Sequence, residues 1–225
     1  MGEHDGHRER LRQRFLTHGL EPLQDHEVLE LLLFYAIPRR DTNAIARTLL
    51  KHFGSLDAVL DASPQELQAV GGIGENAATL LQLVVPLSRR YMLSRTETGK
   101  VLNSINAWGE YLLPYFFGVT QEQIYLLCLD AKWKVLSCRM LQEGSGNTVY
   151  LPIRKAAEIA MNCNANMVVL AHNHPCGLAT PSGEDYSTTD MLIQALAPLG
   201  IGVADHIIVA NNQFVSLRAS GYLRD

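Results

Sequence analysis

Two histidines separated by one residue, His172 and His174, follow a short apolar run in the C-terminal half of the chain. Side chains at positions i and i+2 of an extended segment face the same side, so both imidazoles can reach one point. Neutral imidazole is a good zinc ligand, and two imidazoles need a third protein group to hold the ion. Asp185 can supply that group. Three protein ligands leave a fourth position for water, which is typical of catalytic zinc sites.

The loop between the histidines and Asp185 is suited to bringing the carboxylate back. Pro175 and Pro181 stiffen it and Gly177 allows it to bend. Two ordinary interpretations compete with a metal site. A His-x-His pair at a strand end also occurs in plain polar loops, and Ser182 with Asp185 has the spacing of a helix capping box. The capping and metal interpretations are compatible, because Ser182 can cap a helix and still present its hydroxyl.

The signatures of two classes of nucleic-acid enzyme do not fit this segment. The tripeptide His-Asn-His is not evidence for an HNH nuclease, whose name refers to separated residues. The zinc deaminase pattern H-x-E…P-C-x-x-C fails because position 174 is His and the chain has no CxxC.

The elements around the candidate site indicate two regions. Residues 6–90 show helical periodicity, with a strong helix start at 63–66, whereas 91–100 lose it. We therefore expect an all-α helical domain at 1–92, a linker at 93–102 and an α/β domain at 103–225. In the second domain the pattern predicts helices at 103–115, 153–161 and 182–199, and strands at 123–129, 135–141, 148–151, 167–171, 203–210 and 214–217.

The spacing of the candidate ligands resembles a known signature. His-x-His, seven residues, Ser, two residues and Asp is similar to the pattern of the JAMM (MPN) metallohydrolases, and the wider form HNHPxGxxxPSxxD resembles the RadC family. The segments GHRERLRQRF, DHEVLELLLFYAIPRRDTN, FGSL, VGGIGENAA and ADHIIVANNQFVSLRASGYL extend the resemblance over the whole chain. It implies a JAMM/MPN domain with a cytidine-deaminase-like mixed sheet and flanking helices.

The resemblance also implies roles for individual residues. One Zn²⁺ per chain would be held by His172, His174 and Asp185. A water activated by zinc would attack an amide carbonyl, with Glu122 as general base and the hydroxyl of Ser182 stabilising the oxyanion. The reaction would be hydrolysis of a peptide or isopeptide bond. Glu143, on a polar turn closer in sequence, is the rival candidate for the base.

Two positions near the motif need separate comment. Position 176 is Cys where the family pattern usually has Ser. Its thiolate can join or replace a ligand, or occupy the open metal position, and the alternative is a tolerated small residue. His206, in the closing strand, is interpreted as a structural residue or a partner behind the ligands rather than a ligand itself.

A glycine-rich turn in the helical region resembles a helix-hairpin-helix motif. Gly72, Ile73 and Gly74 would let backbone amides approach a DNA phosphate, a contact that carries no sequence information. A tight turn between two packed helices is the alternative, and Glu75 beside the turn would repel phosphate. Four arginines near the N-terminus could add a basic face, but acidic neighbours dilute it. They are Arg8, Arg10, Arg12 and Arg14.

Composition limits the classes of function. The net charge is −4, so DNA binding has to rest on local features. No apolar run approaches the length of a membrane span, the start lacks the pattern of a secretory signal, and the cysteines lack CxxC spacing. We expect a cytoplasmic protein with reduced cysteines and no membrane association.

Two functions remain at this point. The first is a zinc metallopeptidase or isopeptidase that acts on a peptide or protein substrate. The second is a DNA-binding repair or recombination accessory protein, whose metal domain serves as a scaffold. The two can be combined if the helical region brings the hydrolase to DNA. Nonspecific DNA binding and a homo-oligomer both stay open.

Overall fold

The computed structural model describes residues 3–96, 98–144, 151–175 and 177–223. The chain divides into two compact units, Met1–Ser88 and Arg89–Asp225. The helices are α1 (Glu3–His18), α2 (Asp25–Ala36), α3 (Thr42–Phe53), α4 (Leu56–Asp61), α5 (Pro64–Ala69), α6 (Glu75–Ser94), α7 (Ile105–Phe116), α8 (Ile153–Asn162) and α9 (Gly183–Leu196). The strands are β1 (Glu122–Leu129), β2 (Val135–Gly144), β3 (Met167–Asn173), β4 (Gly202–Ala210) and β5 (Gln213–Ser216).

The N-terminal unit is helical, and local signals account for several of its helix ends. Asp41 caps α3 by accepting hydrogen bonds from the first-turn amides, and Gly54 ends that helix with a φ of 96°. Ser63 and Glu66 form the predicted capping box of α5. Apolar side chains of α2 to α6 share one buried core. No helix in the described part of the chain is long and apolar enough to cross a membrane.

The C-terminal unit is built on a five-stranded mixed sheet. Its strand order is β2-β1-β3-β4-β5, in which only β3 and β4 run parallel. Parallel neighbours need a crossover, and α9 lies in the segment that connects them. The predicted combination of an all-α region with a mixed α/β domain is therefore confirmed.

The two faces of this sheet are covered by different helices, because side chains alternate along each strand. Tyr125 and Leu127 of β1 pack with α7 on one face. Ile124 and Leu126 pack with α8 and α9 on the other. Both faces are buried, which explains why β1 has an almost continuous apolar sequence rather than an alternating one. The face that packs against α8 and α9 is called the α8/α9 face below.

Some predicted boundaries differ from the structure. Helix α6 passes through Pro86 and continues to Ser94, into the predicted linker, so the polar composition of residues 91–94 does not end it. Helix α9 ends at Leu196 and is followed by a short 3₁₀ turn rather than continuing to 199. The predicted strand at 148–151 falls mostly outside the described residues, and Leu151 itself is not in a strand.

Candidate metal centre

The end of β3 and the start of α9 bring three potential ligands together. His172 Nε2 lies 2.9 Å from His174 Nε2 and 3.0 Å from Asp185 Oδ1, and His174 Nε2 lies 3.8 Å from Asp185 Oδ2. Their potential ligand atoms all fall within 4.8 Å of one another. His172 and Asp185 are buried, whereas His174 keeps 24% of its side chain exposed. The cluster therefore has one open side.

The donor set and its spacing fit a metal ion. Ligand atoms about 2.0–2.1 Å from a tetrahedral zinc lie about 3.3–3.4 Å apart. The distances from His172 Nε2 to His174 Nε2 (2.9 Å) and to Asp185 Oδ1 (3.0 Å) are slightly shorter than this value, and the distance from His174 Nε2 to the other carboxylate oxygen, Oδ2 (3.8 Å), is slightly longer. Two imidazoles and one carboxylate are a ligand set typical of catalytic zinc, which keeps a fourth position for water or substrate. The cluster can hold a divalent metal, and nitrogen and carboxylate ligands are compatible with several transition metals.

Asp185 is oriented by the start of its own helix. Ser182 caps α9, its main-chain N–H donates to Asp185 Oδ2 at 2.6 Å, and its hydroxyl donates to the same oxygen at 2.7 Å. The other oxygen, Oδ1, faces His172. Burial opposes ionisation of Asp185, but the hydrogen bond and charge of His172, with the bonds from Ser182, outweigh it and lower the pKa of Asp185. The carboxylate is thus held ionised.

Glu122, the predicted base, begins β1. Ile124 pairs with His172, so their side chains share the α8/α9 face, and Glu122, two residues before Ile124 in the same strand, lies on that face as well. Burial raises the pKa of Glu122; the charges of His172 and His174 oppose this rise, and that of Asp185 adds to it. Glu122 is therefore within electrostatic range of all three potential ligands.

Glu143, the rival base, lies on the opposite face of the sheet. It pairs with Gln123 across β1 and β2, and its carboxylate accepts a hydrogen bond from Gln123 Nε2 at 2.6 Å. Residues directly opposite one another share a face, so both point away from the face that carries His172. This placement favours Glu122 over Glu143.

Asn173, between the two histidines, has a structural role that the sequence analysis missed. Its side-chain Oδ1 accepts a hydrogen bond from the main-chain N–H of Gln123 at 2.8 Å, and its Nδ2 donates to the main-chain oxygen of Gln121 at 3.0 Å. These two bonds fix the backbone on either side of Glu122. Sequence offers only a weak indication of this role: Asn173 is a polar residue between two histidines, at a position that is buried in the structure.

A second chain of polar side chains lies behind His172. His206 Nε2 is 2.8 Å from His172 Nδ1, and His206 Nδ1 is 2.7 Å from the hydroxyl of Thr189. The placement of His206 agrees with the interpretation that it supports the ligands rather than joining them. Burial, followed by the neighbouring charge of His172, lowers the pKa of His206. Thr189 was not singled out by sequence, although it follows Asp185 by one helical turn.

The remaining sequence candidates are placed as follows. Cys176 lies outside the described residues, so its relation to the cluster stays a prediction. The described cysteines are free thiols. Gly72, Ile73 and Gly74 lie in the turn between α5 and α6 of the N-terminal unit. The side chain of Ile73 is buried in the helical core, and its N–H donates to the main-chain oxygen of Val70.

Most of the N-terminal arginines bond to groups within their own unit. Arg8 donates to the main-chain oxygens at the end of α2, at Ile37, Pro38 and Arg40. Arg12 pairs with Glu9 and Arg14 with Glu27. These contacts favour a structural, solvated helix face over a basic face that is free to bind phosphate.

Comparison with known proteins gives matches over both units. Residues 102–222 match the family described as RadC-like JAB domain, and residues 5–79 match the one described as UPF0758 N-terminal. The chain is 36% identical to a UPF0758 protein of Ruegeria pomeroyi over 217 residues, which cover 96% of this chain and 97% of that protein. A UPF0758 protein of Rhodobacter capsulatus is 37% identical over 213 residues, 95% of this chain and 100% of the relative.

Proposed function

This chain belongs to the family of RadC-like JAB-domain proteins, and we propose that it is a zinc-dependent hydrolase of peptide or isopeptide bonds. The observation that carries the proposal is the convergence of His172 Nε2, His174 Nε2 and the Asp185 carboxylate on one point with an open side. A fold family by itself does not establish an activity, whereas the chemistry of these three residues is that of a catalytic metal site.

The three ligands would hold the zinc ion, and each has a distinct support. His172 is anchored from behind by His206, and Asp185 by the capping box of Ser182. His174 Nδ1 lies 3.1 Å from the main-chain oxygen of Leu178, so the loop itself orients that ring. When bound, zinc would supply a Lewis acid and lower the pKa of a coordinated water to about 7.

Glu122 would act as the general base in this proposal. Its carboxylate would accept a proton from the attacking water and return that proton to the leaving amine. The position on the same face as His172 supports this role, and so does partial burial, which raises the pKa of Glu122 and makes its carboxylate a stronger base. The hydrogen bonds of Asn173 to the flanking backbone would keep the carboxylate in place.

Ser182 would hold Asp185 in its metal-binding orientation. In this structure its hydroxyl donates to Asp185 Oδ2. A hydroxyl has a single proton, so stabilising an oxyanion would require it to leave that carboxylate. The oxyanion role therefore stays a prediction, whereas orientation of Asp185 follows from the contacts.

The first experiment is metal content by elemental analysis of the purified full chain. We expect about one zinc per chain in the wild type, because the cluster offers one set of three ligands. His174→Ala and Asp185→Ala should lose the metal. Glu184→Ala and His18→Ala are matched controls, because both side chains lie outside the cluster and are exposed. Absence of zinc in the wild type after reconstitution would overturn the proposal.

Activity is tested next on fluorogenic peptides and on isopeptides linked through a lysine side chain. Cleavage should stop when a chelator removes the metal and resume when zinc is restored. Glu122→Gln should abolish cleavage while keeping the metal, whereas Glu143→Gln should keep both the metal and the cleavage activity. Equal loss in the two variants would remove the assignment of the base.

A further inference from the structure

We propose that Thr189 and His206 are positioning residues that keep a proton on Nδ1 of His172 and so reserve its Nε2 for the metal; the inference rests on the proposed function for its metal, not for its geometry. Four groups form one continuous chain. His172 Nδ1 is 2.8 Å from His206 Nε2, His206 Nδ1 is 2.7 Å from Thr189 Oγ1, and Thr189 Oγ1 is 2.6 Å from the main-chain oxygen of Asp185.

The direction of these hydrogen bonds follows from counting protons, beginning at Asp185. A main-chain oxygen can only accept, and two oxygens 2.6 Å apart repel unless a hydrogen lies between them. The single proton of Thr189 is therefore donated to Asp185. Only lone pairs of Thr189 Oγ1 remain for the next contact, so Nδ1 of His206 must donate to it.

The same count then reaches the metal ligand. His206 is 1% exposed and its two ring partners, His172 and Thr189, carry no negative charge, so its buried imidazole is neutral. A neutral imidazole carries one N–H, which His206 uses toward Thr189, so its Nε2 can only accept. The group that faces this nitrogen is Nδ1 of His172, which must be the donor. With Nδ1 occupied in this way, Nε2 is the nitrogen of His172 that points at His174 and Asp185.

This chain of hydrogen bonds connects two metal ligands through two strands and a helix. It begins on His172 of β3, crosses to His206 of β4, continues to Thr189 of α9 and ends on the backbone of Asp185. All of its side chains are buried: His172 is 4% exposed, His206 1% and Thr189 0%. Water cannot readily replace any link, so the ring of His172 is held in one orientation.

His174 offers a contrast within the same cluster. Its Nδ1 faces the main-chain oxygen of Leu178 in an exposed loop, and the ring is partly open to solvent. The buried chain behind His172 therefore orients one ligand rigidly, whereas the local loop orients the other. We expect the loss of the buried chain to weaken metal binding because the first ligand is no longer preorganised.

The test compares Thr189→Val with Thr189→Ser in the full chain. Valine keeps the shape but removes the hydroxyl, whereas serine restores it. Zinc affinity, measured by competition with a chromophoric chelator, should fall about 10–100-fold in Thr189→Val, as for other residues that support metal-binding histidines, and stay near wild type in Thr189→Ser. Thr48→Val is the matched control, because Thr48 also donates to a main-chain oxygen one helical turn back, in the other unit.

A second measurement needs no variant. Nitrogen-15 NMR of the histidine rings in the wild type should show a protonated Nδ1 for His172, with and without zinc. An unprotonated Nδ1, or equal zinc affinity of Thr189→Val and wild type, would overturn the inference. If the wild type binds no zinc, the proposed function fails, and the ring spectra still decide this inference.

Discussion

Asn173 Oδ1 accepts a hydrogen bond from the main-chain N–H of Gln123 at 2.8 Å, at the point where the paired residues of β1 and β3 end. The side chain thus continues the strand pairing beyond the backbone ladder. It also ties the start of β1 to the strand that carries both histidines. Together with the backbone pairing of β1 and β3, this amide fixes the position of Glu122 relative to His172.

Replacing that amide should damage the fold locally. Asn173→Ala leaves the buried N–H of Gln123 without its acceptor, which should lower the free energy of unfolding by about 1–3 kcal/mol. Zinc content should be kept, because Asn173 is not in the ligand cluster, while amide hydrolysis should fall. Thermal unfolding and elemental analysis measure the two effects. Asn162→Ala, at an exposed position, is the control. An Asn173→Ala protein that unfolds at the same temperature as the wild type would contradict this role.

Glu122 should release a proton when metal binds at mildly acidic pH. Burial raises its pKa in the metal-free protein, and the counteracting charges of His172 and His174 do not cancel this rise. A divalent cation favours the ionised carboxylate, so binding should drive the proton off. At pH about 8, well above the ordinary range of a Glu, the carboxylate is already ionised and no such release is expected.

Calorimetry in two buffers with different ionisation enthalpies counts these protons. Glu122→Gln should release fewer than wild type at acidic pH and the same number at alkaline pH. Glu143→Gln should match wild type throughout, since its carboxylate lies on the other face and bonds Gln123. Equal numbers of released protons for wild type and Glu122→Gln at both pH values would show that metal binding does not change the protonation of Glu122.

Ser182 should affect both stability and metal affinity. Ser182→Ala removes the cap of α9 and one of the two Ser182 hydrogen bonds to Asp185 Oδ2. We therefore expect the free energy of unfolding to fall by about 1 kcal/mol and zinc to bind more weakly. Ser63→Ala is a matched control, because Ser63 forms the same type of capping box at α5. It should cost similar stability and leave zinc affinity unchanged. Chelator competition and thermal unfolding separate the two; unchanged zinc affinity in Ser182→Ala would limit Ser182 to helix capping.

Gly72 should be needed for the fold of the N-terminal unit. Its φ is 100°, and a Cβ there would lie 2.9 Å from Cδ1 of Ile45. Gly72→Ala should therefore destabilise the protein by about 1–3 kcal/mol. The neighbouring Gly71→Ala is the control, because a Cβ at Gly71 meets nothing within 4 Å and its φ is not in the strained range. Equal unfolding curves for these two variants would show that the turn tolerates a side chain.

The DNA hypothesis for this turn is tested by the salt dependence of binding. A hairpin that binds phosphate should lose affinity steeply as salt rises from low to physiological concentration. Fluorescence anisotropy with a labelled duplex measures this dependence for wild type and for Gly71→Ala, which should keep the fold. Binding that is absent at low salt would leave the turn with a purely structural role.

Local sequence was sufficient for the features whose causes are local. The capping box of Ser63 and Glu66 and the stop at Gly54 were predictable because caps depend on a few adjacent residues. The mixed α/β class followed from the change in periodicity near residue 100. The end of α6 is not predictable in this way, because a loss of apolar periodicity does not by itself stop a helix.

By itself, the sequence determined the candidate ligands, since strand alternation aligns His172 with His174 and a capping box orients Asp185. Only the tertiary structure showed that Glu122 and Glu143 lie on opposite faces of the sheet, because this placement depends on the register of β1 against both neighbours, where a shift of one residue exchanges the faces. It alone also brought Thr189 and His206 behind His172. Strands and helices far apart in the chain meet through the packing of a shared core, and no local pattern records those contacts.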